Sequence, residues 1–389
     1  MTDVNSNGGT PEAPPLSQER QARAREYARI NRRLGIIEGL LSAIMLGWLI
    51  IGGWGESFVR VFNLPAVPGA VVYFALIYLG YRLIFWPFGY YRGFVLAGRY
   101  GLSNQGFGGW LADQAKGIAL VLLPGAAAVA ALYWFIAIQP GLWWLLAWGL
   151  MVAVSFVLSY LAPVLIVPLF FKMKPLADSA LKESLEKLAR KAGVTVAGVY
   201  AIEFSSKTNT ANAAMMGAGR TRRIAVSDTL LKSYTPDEIE VVIAHELGHV
   251  KNRDFARLLS FQSAVMLMLF WLTGIIAGAM LAPLGFAGPG DAAGMPLLAL
   301  IMLALSLLFM PVSNTYVRRR EQAADDFALR LTGKPDAFVS MITRLTDQNL
   351  AEAEPGRWTE RLFNDHPGYR SRVEHARRFE KPGVQDHKP

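Results

Sequence analysis

The sequence has no cysteine and little charge for its length. Because none of the 389 residues is cysteine, disulfide bonds, thiolate metal ligands and cysteine nucleophiles are excluded. Histidine occurs only five times, so a zinc site would have to combine a few imidazoles with Asp or Glu ligands. Charged residues make up 18% and hydrophobic residues 53% of the chain, a balance that excludes an ordinary soluble enzyme.

Long hydrophobic runs divide the chain. Six of them are long enough to cross a bilayer, for which a helix needs about 20 apolar residues. They cover residues 35–54, 66–88, 117–138, 142–168, 260–282 and 295–316. One such run could be a buried helix of a soluble protein, but six in one chain predict a mainly α, polytopic membrane protein. Pro163 and Pro168 are expected to kink or end the fourth helix.

The runs and the segments between them give five parts. Residues 1–33 are predicted to be a disordered, basic tail, rich first in Asn, Gly, Pro and Ser and then in arginine. The other parts are residues 34–171 with transmembrane helices 1–4, residues 172–259 as a small α/β part, residues 260–316 with transmembrane helices 5–6, and residues 317–389 as a helical part.

The α/β part has local signals for each of its elements. Residues 177–192 predict an amphipathic helix that ends at Gly193, and residues 194–204, rich in Val and Ile, predict a strand. Residues 208–216 and 223–226 predict a hairpin, because the segment between them contains Gly217-Ala218-Gly219.

The distribution of basic residues predicts the orientation in the membrane. With six spans, both termini and all long polar segments lie on one side, and only Arg60 of the 39 basic residues falls in an opposite loop. We therefore expect this side, with both termini and the polar parts, to be cytoplasmic. The net charge of +9 is then mainly a topology signal, and no motif supports nucleic-acid binding.

One short motif indicates the chemistry. In His245-Glu246-Leu247-Gly248-His249 the two histidines are four residues apart, and residues at this spacing share one face of a helix. Both imidazoles can therefore bind one metal ion, and Glu246, beside the metal, can take a proton from its bound water. The motif also recurs by chance, but its apolar flanks favour a metal site, because burying such groups is costly unless they are paired or bind metal.

The start of the motif helix is also encoded. Thr235 is a good N-cap, Pro236 fits the first helical position, and Glu238 completes a capping box. These signals predict that a helix begins at this point and carries the motif.

A third metal ligand is expected downstream. Glu321 and Asp325 follow the last hydrophobic run four residues apart, so Glu321 could bind zinc while Asp325 accepts the outer N–H of a ligand histidine. Taken alone, the pair would be better interpreted as a solvated face with Arg–Glu pairs. A metzincin is excluded because Phe255 stands where its third histidine would be, and an inverted His-x-x-Glu-His is absent.

Several motifs in this order resemble the type I CAAX prenyl protease family of integral-membrane zinc metalloproteases. The resemblance runs from about residue 66 to residue 378, and the combination is specific although most single pieces are not. Its motifs are Ala162-Pro163, Lys174-Pro175-Leu176, Asn212-Ala213-x-x-x-Gly217, His245-Glu246-Leu247-Gly248-His249, Glu321-x-x-Ala324-Asp325, Asp347-Gln348-Asn349-Leu350 and His366-Pro367 with Arg372.

The resemblance implies a metal centre with one zinc ion per chain. His245, His249 and Glu321 would be the zinc ligands. Glu246 would be the catalytic base, and Asp325 would orient a ligand histidine.

The resemblance also implies a substrate-binding site. Asn212 and Ala213 would lie on an edge strand that pairs with an extended substrate. His366 and Arg372 would approach the substrate or stabilise the oxyanion. His375 is interpreted as a surface residue.

The architecture implied by the resemblance is a barrel of transmembrane helices around a large intramembrane chamber, with the zinc site on the cytosolic side. The implied substrates are proteins that end in a prenylated Cys-a-a-X motif and lose their last three residues. Eukaryotic members have an additional span and a long insert before the metal helix. Their absence here fits a compact prokaryotic member, in a bacterial cell membrane.

Three other functions are compatible with parts of the sequence. A membrane quality-control protease of the HtpX type has the same metal motif and would act on non-prenylated substrates. A non-catalytic scaffold could keep a relic motif, but here the base, ligands and supporting carboxylate are all intact. A transporter or channel usually needs charges within its spans, and these are nearly absent. We therefore expect a membrane zinc endopeptidase with a peptide or protein substrate.

Overall fold

The structure, a computed structural model, describes residues 15–379, and most of them are helical. The part before the sheet contains α1 (Gln18–Ile51), α2 (Trp54–Phe62), α3 (Ala66–Ile84), α4 (Trp86–Tyr90), α5 (Ala97–Arg99), α6 (Phe107–Ile138), α7 (Trp143–Leu161) and α8 (Val167–Phe170). A π-helical turn at residues 162–166 separates α7 from α8, so the regular helix ends just before Pro163, as predicted.

The remaining elements include all four strands at first and are helical after β4. They are β1 (Met173–Pro175), α9 (Ser179–Lys191), β2 (Gly198–Ile202), β3 (Ala213–Met216), β4 (Arg223–Ser227), α10 (Asp228–Ser233), α11 (Pro236–Lys251), α12 (Asp254–Met280), α13 (Met295–Thr332), α14 (Pro335–Gln348), α15 (Arg357–Phe363) and α16 (Tyr369–Phe379).

Six helices of residues 15–379 are long and apolar enough to cross a membrane, which confirms the predicted number of spans. These helices are α1, α3, α6, α7, α12 and α13. The prediction of a mainly α, polytopic membrane protein is confirmed.

The predicted disordered tail at residues 1–33 is wrong from Gln18 onward. Helix α1 begins at this residue and continues without a break into the first span. Gln, Glu, Arg and Ala make up most of its first turns, and all four are good helix formers, so the arginines lie on a helix rather than in a coil. Residues 1–14 of the predicted tail lie outside the described residues.

The chain folds into two compact units. Unit 1 combines the residues up to Ala28 with Pro163–Phe255 and the residues from Asn314 on, and unit 2 comprises Arg29–Ala162 and Ala256–Ser313. All residues predicted to form the metal centre and the substrate-binding site belong to unit 1.

Unit 1 contains a four-stranded sheet in the order β1-β2-β4-β3. Strand β2 pairs in parallel with β4, whereas β1 and β3 pair antiparallel with β2 and β4, respectively. The β3–β4 pair is the predicted hairpin, and β2 lies within the predicted strand at residues 194–204. Strand β1 was not predicted, because three residues ending in a proline carry almost no strand signal.

Helix α11 lies in the core of unit 1. Its side chains Val241, Ile243, Ala244 and Leu247 are completely buried, among apolar residues of α9, β4 and α14. Each buried Ile or Leu side chain stabilises the fold by roughly 1.5–3 kcal/mol. The helix that carries His-Glu-x-x-His is therefore firmly anchored.

Unit 2 encloses a cavity of about 420 Å³ with an apolar lining. Leu46, Phe74, Tyr133, Phe270 and Met302 are among the residues that line it. Tyr81 also lines this cavity, and its hydroxyl donates a 3.0 Å hydrogen bond to Glu38 Oε1, so the only carboxylate of the first hydrophobic run has a partner within the protein.

Candidate metal centre

The capping box predicted at the start of α11 is present. The Thr235 hydroxyl accepts a 3.3 Å hydrogen bond from the Glu238 N–H, and the Glu238 carboxylate accepts one of 2.7 Å from the Thr235 N–H. Glu238 also accepts hydrogen bonds from Ser340 and Arg344 of α14. This end of the motif helix is therefore tied to a neighbouring helix as well as capped.

Gly248 allows α13 to approach α11 closely. A Cβ atom at this position would lie only 3.1 Å from Ala324 Cα and 3.2 Å from its carbonyl oxygen. Because glycine has no Cβ, the two helices can touch backbone to backbone. This contact places Glu321 and Asp325, which flank Ala324 on α13, opposite the two motif histidines.

Ligand atoms of three side chains converge in the space between these helices. His245 Nε2 lies 3.2 Å from His249 Nε2 and 3.4 Å from Glu321 Oε2, and His249 Nε2 lies 3.5 Å from Glu321 Oε1. The three side chains are mostly buried, with exposed fractions of 12%, 25% and 11% for His245, His249 and Glu321. Among the described residues, these three form the group that could hold a metal ion.

Each histidine of the group is oriented by a carboxylate. The Nδ1 of His245 lies 2.8 Å from Asp325 Oδ1, and the Nδ1 of His249 lies 2.9 Å from Asp254 Oδ2. A carboxylate can only accept, so both Nδ1 atoms donate, and the tautomer assigned in this way leaves the lone pair on Nε2. Both lone pairs then face the Glu321 carboxylate.

This donor set fits a zinc ion. The two Nε2 atoms are 3.2 Å apart, and each lies 3.4–3.5 Å from one of the two Glu321 oxygens, so these electron-rich atoms repel one another unless a cation lies between them. In a tetrahedral zinc site with ligands at about 2.1 Å the ligand atoms lie roughly 3.4 Å apart, which is close to the separation of the two Nε2 atoms and of each Nε2 from one Glu321 oxygen. The neutral imidazoles and the carboxylate are also ligands that zinc prefers.

Asp254 and Arg320 were not predicted from the sequence. Asp254 is 1% exposed and accepts a 2.6 Å hydrogen bond from Arg320 Nε in addition to its bond with His249. It reaches His249 across the break between α11 and α12, where Arg253 adopts a φ of 54°. The only signal in the sequence is an acidic residue shortly after the motif, which is too common to be diagnostic.

Glu246 lies beside the three ligands. Burial raises the pKa of its carboxyl group, while the two imidazoles and the main-chain N–H of Met215 on β3 act in the opposite direction. A carboxylate with a raised pKa is suited to accept a proton and to return it.

Arg372 is bonded to Asp325 behind the ligands, whereas His366 lies against the ligand Glu321 itself. The Arg372 guanidinium donates hydrogen bonds of 2.7 and 2.6 Å to the two oxygens of Asp325 and is mostly buried. His366 Nε2 lies 3.3 Å from Glu321 Oε2, and 58% of the His366 side chain is exposed. The hydrogen bond with Asp365 raises the pKa of His366, although burial lowers it. His366 is thus the more accessible of the two side chains.

A cavity of about 450 Å³ connects the centre with the edge of the sheet. Six of the residues predicted to act in catalysis or binding line it, and they are Asn212, Ala213, His245, Glu246, His366 and Arg372. Ala213 begins β3, which pairs with β4 on one side only. An extended peptide in this cavity would lie between an unpaired strand edge and the metal ligands.

Comparisons with known families agree with this site. Residues 175–380 match the model of peptidase family M48, and residues 9–172 match the model described as CAAX prenyl protease N-terminal, five membrane helices. Four of the six candidate spans lie mainly within the second match.

Individual proteins match over much of the chain. It is 30% identical over 292 residues to the uncharacterized metalloprotease YhfN of Bacillus subtilis, covering 74% of this chain and 68% of YhfN. It is 26% identical over 380 residues to a CAAX prenyl protease 1 homolog of Taenia solium, covering 85% and 80% of the two chains. The crystal structure of S. mikatae Ste24p has the same fold, with a TM-score of 0.83 and 22% identity over 94% of this chain and 92% of that one.

The fold and the site together define an integral-membrane zinc metalloendopeptidase that acts on peptide or protein substrates. The chain belongs to peptidase family M48, whose model covers more than half of it. The predicted zinc cofactor and the predicted class of enzyme are confirmed by this membership together with the His245, His249 and Glu321 group.

Proposed function

We propose that this enzyme cleaves a peptide bond near the C-terminus of prenylated proteins that end in Cys-a-a-X. The observation that carries the proposal is the convergence of three ligand atoms, Glu246 and an unpaired strand edge in one cavity. Relatives named as CAAX prenyl proteases in Taenia solium and in rice, the latter 30% identical over 288 residues, support this class of substrate. The apolar cavity of unit 2 supports it further, because an apolar cavity within a membrane protein suits an isoprenoid chain.

The residues of unit 1 divide the chemistry among them. His245, His249 and Glu321 would bind the zinc ion, which when bound polarises a carbonyl oxygen and makes water more acidic. Glu246 takes the proton of the attacking water and delivers one to the leaving amine. His366, partly exposed beside Glu321, donates its Nε2–H to the oxyanion that develops on the scissile carbonyl.

The supporting residues keep this arrangement in place. Asp325 and Asp254 fix the tautomers of the two histidines, and Arg372 and Arg320 donate hydrogen bonds to those carboxylates. Asn212 and Ala213 at the start of β3 bind the substrate main chain by strand addition.

We further propose that this site faces the cytoplasm of a bacterial cell. Support comes from the basic residues, of which only Arg60 lies in a loop on the opposite side when the six spans are threaded through a bilayer.

A pair of peptides tests the substrate proposal. Detergent-purified enzyme is given a farnesylated Cys-a-a-X peptide and its non-prenylated twin, with Glu246→Gln as the control. Cleavage of the prenylated peptide alone, abolished in the variant, supports the proposal. Equal cleavage of both peptides, abolished in the variant, would instead favour a general membrane endopeptidase of the quality-control type.

A further inference from the structure

The main-chain groups along the edge of β3 alternate in direction. Asn212 C=O accepts a 2.9 Å hydrogen bond from Ser227 N–H, so the groups of Asn212 face β4. In an antiparallel pair the next residue on either side faces the opposite way. The main-chain groups of Ala211, Ala213 and Met215 therefore face the open edge, which agrees with the interaction of the Met215 N–H with Glu246.

The first of these three edge residues is already paired by a side chain. Asn349 Oδ1 accepts a 2.9 Å hydrogen bond from the Ala211 N–H, and Asn349 Nδ2 donates one of 3.0 Å to the Ala211 carbonyl oxygen. A side-chain amide presents the same donor and acceptor as a peptide group. Asn349 thus occupies the place that a residue of an added strand would take opposite Ala211.

The segment that carries Asn349 is held by hydrogen bonds to three other parts of the chain. Gln348 Nε2 donates a 2.8 Å hydrogen bond to the Asn209 carbonyl oxygen, and Gln348 Oε1 accepts one of 2.9 Å from the Tyr234 hydroxyl. Asp347 accepts hydrogen bonds of 2.8 and 2.9 Å from the Ser17 N–H and from Gln21 Nε2 at the start of α1. A substrate could displace Asn349 only by breaking several of these contacts together.

We propose that Asn349 closes one end of the substrate-binding edge and so limits the length of the C-terminal segment that the enzyme releases. The proposal rests on the proposed function, in which a peptide pairs with β3. The main body of a protein substrate needs the open end of the edge, beyond Met215, so the short C-terminal segment lies at the closed end. Asn349 is therefore a residue that determines specificity for substrate length.

The geometry sets the length of that segment. The reacting bond lies beside Glu246, which interacts with Met215, and Ala211 is four residues away along the strand. At about 3.3 Å per residue this is roughly 13 Å, enough for about three extended substrate residues and their terminal carboxylate. A substrate with a longer segment would collide with the Asn349 amide.

A series of peptides tests this proposal. Farnesylated peptides with three, four, five or six residues after the cysteine, and their non-prenylated twins, are incubated with wild type, Asn349→Ala and Asn349→Asp, and the products are identified by mass. We expect wild type to cleave the three-residue peptide about tenfold better than the six-residue one. Asn349→Ala should remove most of that difference, and Asn349→Asp, which keeps the acceptor for the Ala211 N–H but loses the donor, should remove part of it.

Asn364→Ala is the matched control, because Asn364 also lines the cavity but makes neither of the hydrogen bonds with Ala211. It should keep the wild-type preference for the short peptide, and zinc content and thermal unfolding of each variant show that it is folded. If Asn349→Ala lowers all rates by the same factor, or leaves the length preference unchanged, Asn349 does not determine length. If wild type cleaves none of these peptides, the proposed function fails and this inference fails with it.

Discussion

Arg372 and Asp325 form a buried ion pair directly behind the metal ligands. Both oxygens of Asp325 accept from the Arg372 guanidinium, at 2.7 and 2.6 Å, and Asp325 also accepts from His245. The same order of arginine, aspartate and histidine recurs on the other ligand, where Arg320 bonds Asp254 and Asp254 accepts from His249. Each imidazole is therefore oriented by a carboxylate whose own charge is balanced.

The first prediction concerns Asp254. Asp254→Asn should leave the protein folded but lower its zinc affinity by about 10- to 100-fold, because an amide holds the His249 tautomer less well than a carboxylate. Zinc titration against a competing chelator measures the effect. Asp237→Asn, which removes a carboxylate that pairs with Lys334 outside the cavity, is the control and should bind zinc like wild type. Unchanged affinity in Asp254→Asn would show that this contact does not support the metal.

The second prediction separates two roles of Arg372. Arg372→Ala should lower the free energy of unfolding by about 3 kcal/mol, because it leaves the Asp325 charge buried without its partner. Chemical unfolding in detergent measures this change. A variant as stable as wild type that nevertheless fails to turn over substrate would contradict a positioning role and would favour direct contact of Arg372 with the substrate.

The third prediction concerns His366. His366→Ala should lower kcat by about 100-fold or more while zinc content and KM stay close to wild type, because a donor to the oxyanion acts mainly in the transition state. Steady-state kinetics on the cleaved peptide measures both constants. His375→Ala is the matched control, since His375 lies on α16, pairs with Asp326 and does not line the cavity. An increase in KM with unchanged kcat in His366→Ala would show instead that the residue contributes to ground-state binding of the substrate.

The fourth prediction concerns the start of α11. Thr235→Ala should lower the free energy of unfolding by about 1 kcal/mol, because the Glu238 N–H loses its side-chain acceptor. Thr235→Ser keeps a hydroxyl at the same position and should retain most of the stability. Equal stability of Thr235→Ala and wild type would mean that the cap does not contribute to the stability of this helix.

The parts of the site that follow from local spacing could be predicted from the sequence. His245 and His249 share a helix face because they are four residues apart, and the same rule links Glu321 with Asp325. The capping box and the six spans are also local patterns. They depend on nearby residues and on hydropathy, so the fold class and the two histidine ligands follow from local patterns, whereas Glu321 as the third ligand rests on the family resemblance.

The parts that depend on distant contacts could not be predicted in this way. Asp254 reaches His249 across the break between two helices at Arg253, and Arg320 meets Asp254 across 66 positions of sequence. Asn349 was noted only as part of a motif, since its pairing with Ala211 spans 138 positions. No periodicity or composition encodes such contacts, because they arise from the packing of whole elements.

The most direct test of the central claim is a single preparation of Glu246→Gln in which zinc content and peptide cleavage are both measured. Glutamine keeps the size of the side chain but cannot accept the proton of the attacking water. We predict about one zinc ion per chain, as in wild type, together with a loss of cleavage of about 1,000-fold. Turnover close to that of wild type, with zinc bound, would contradict the assignment of Glu246 as the base at this metal centre.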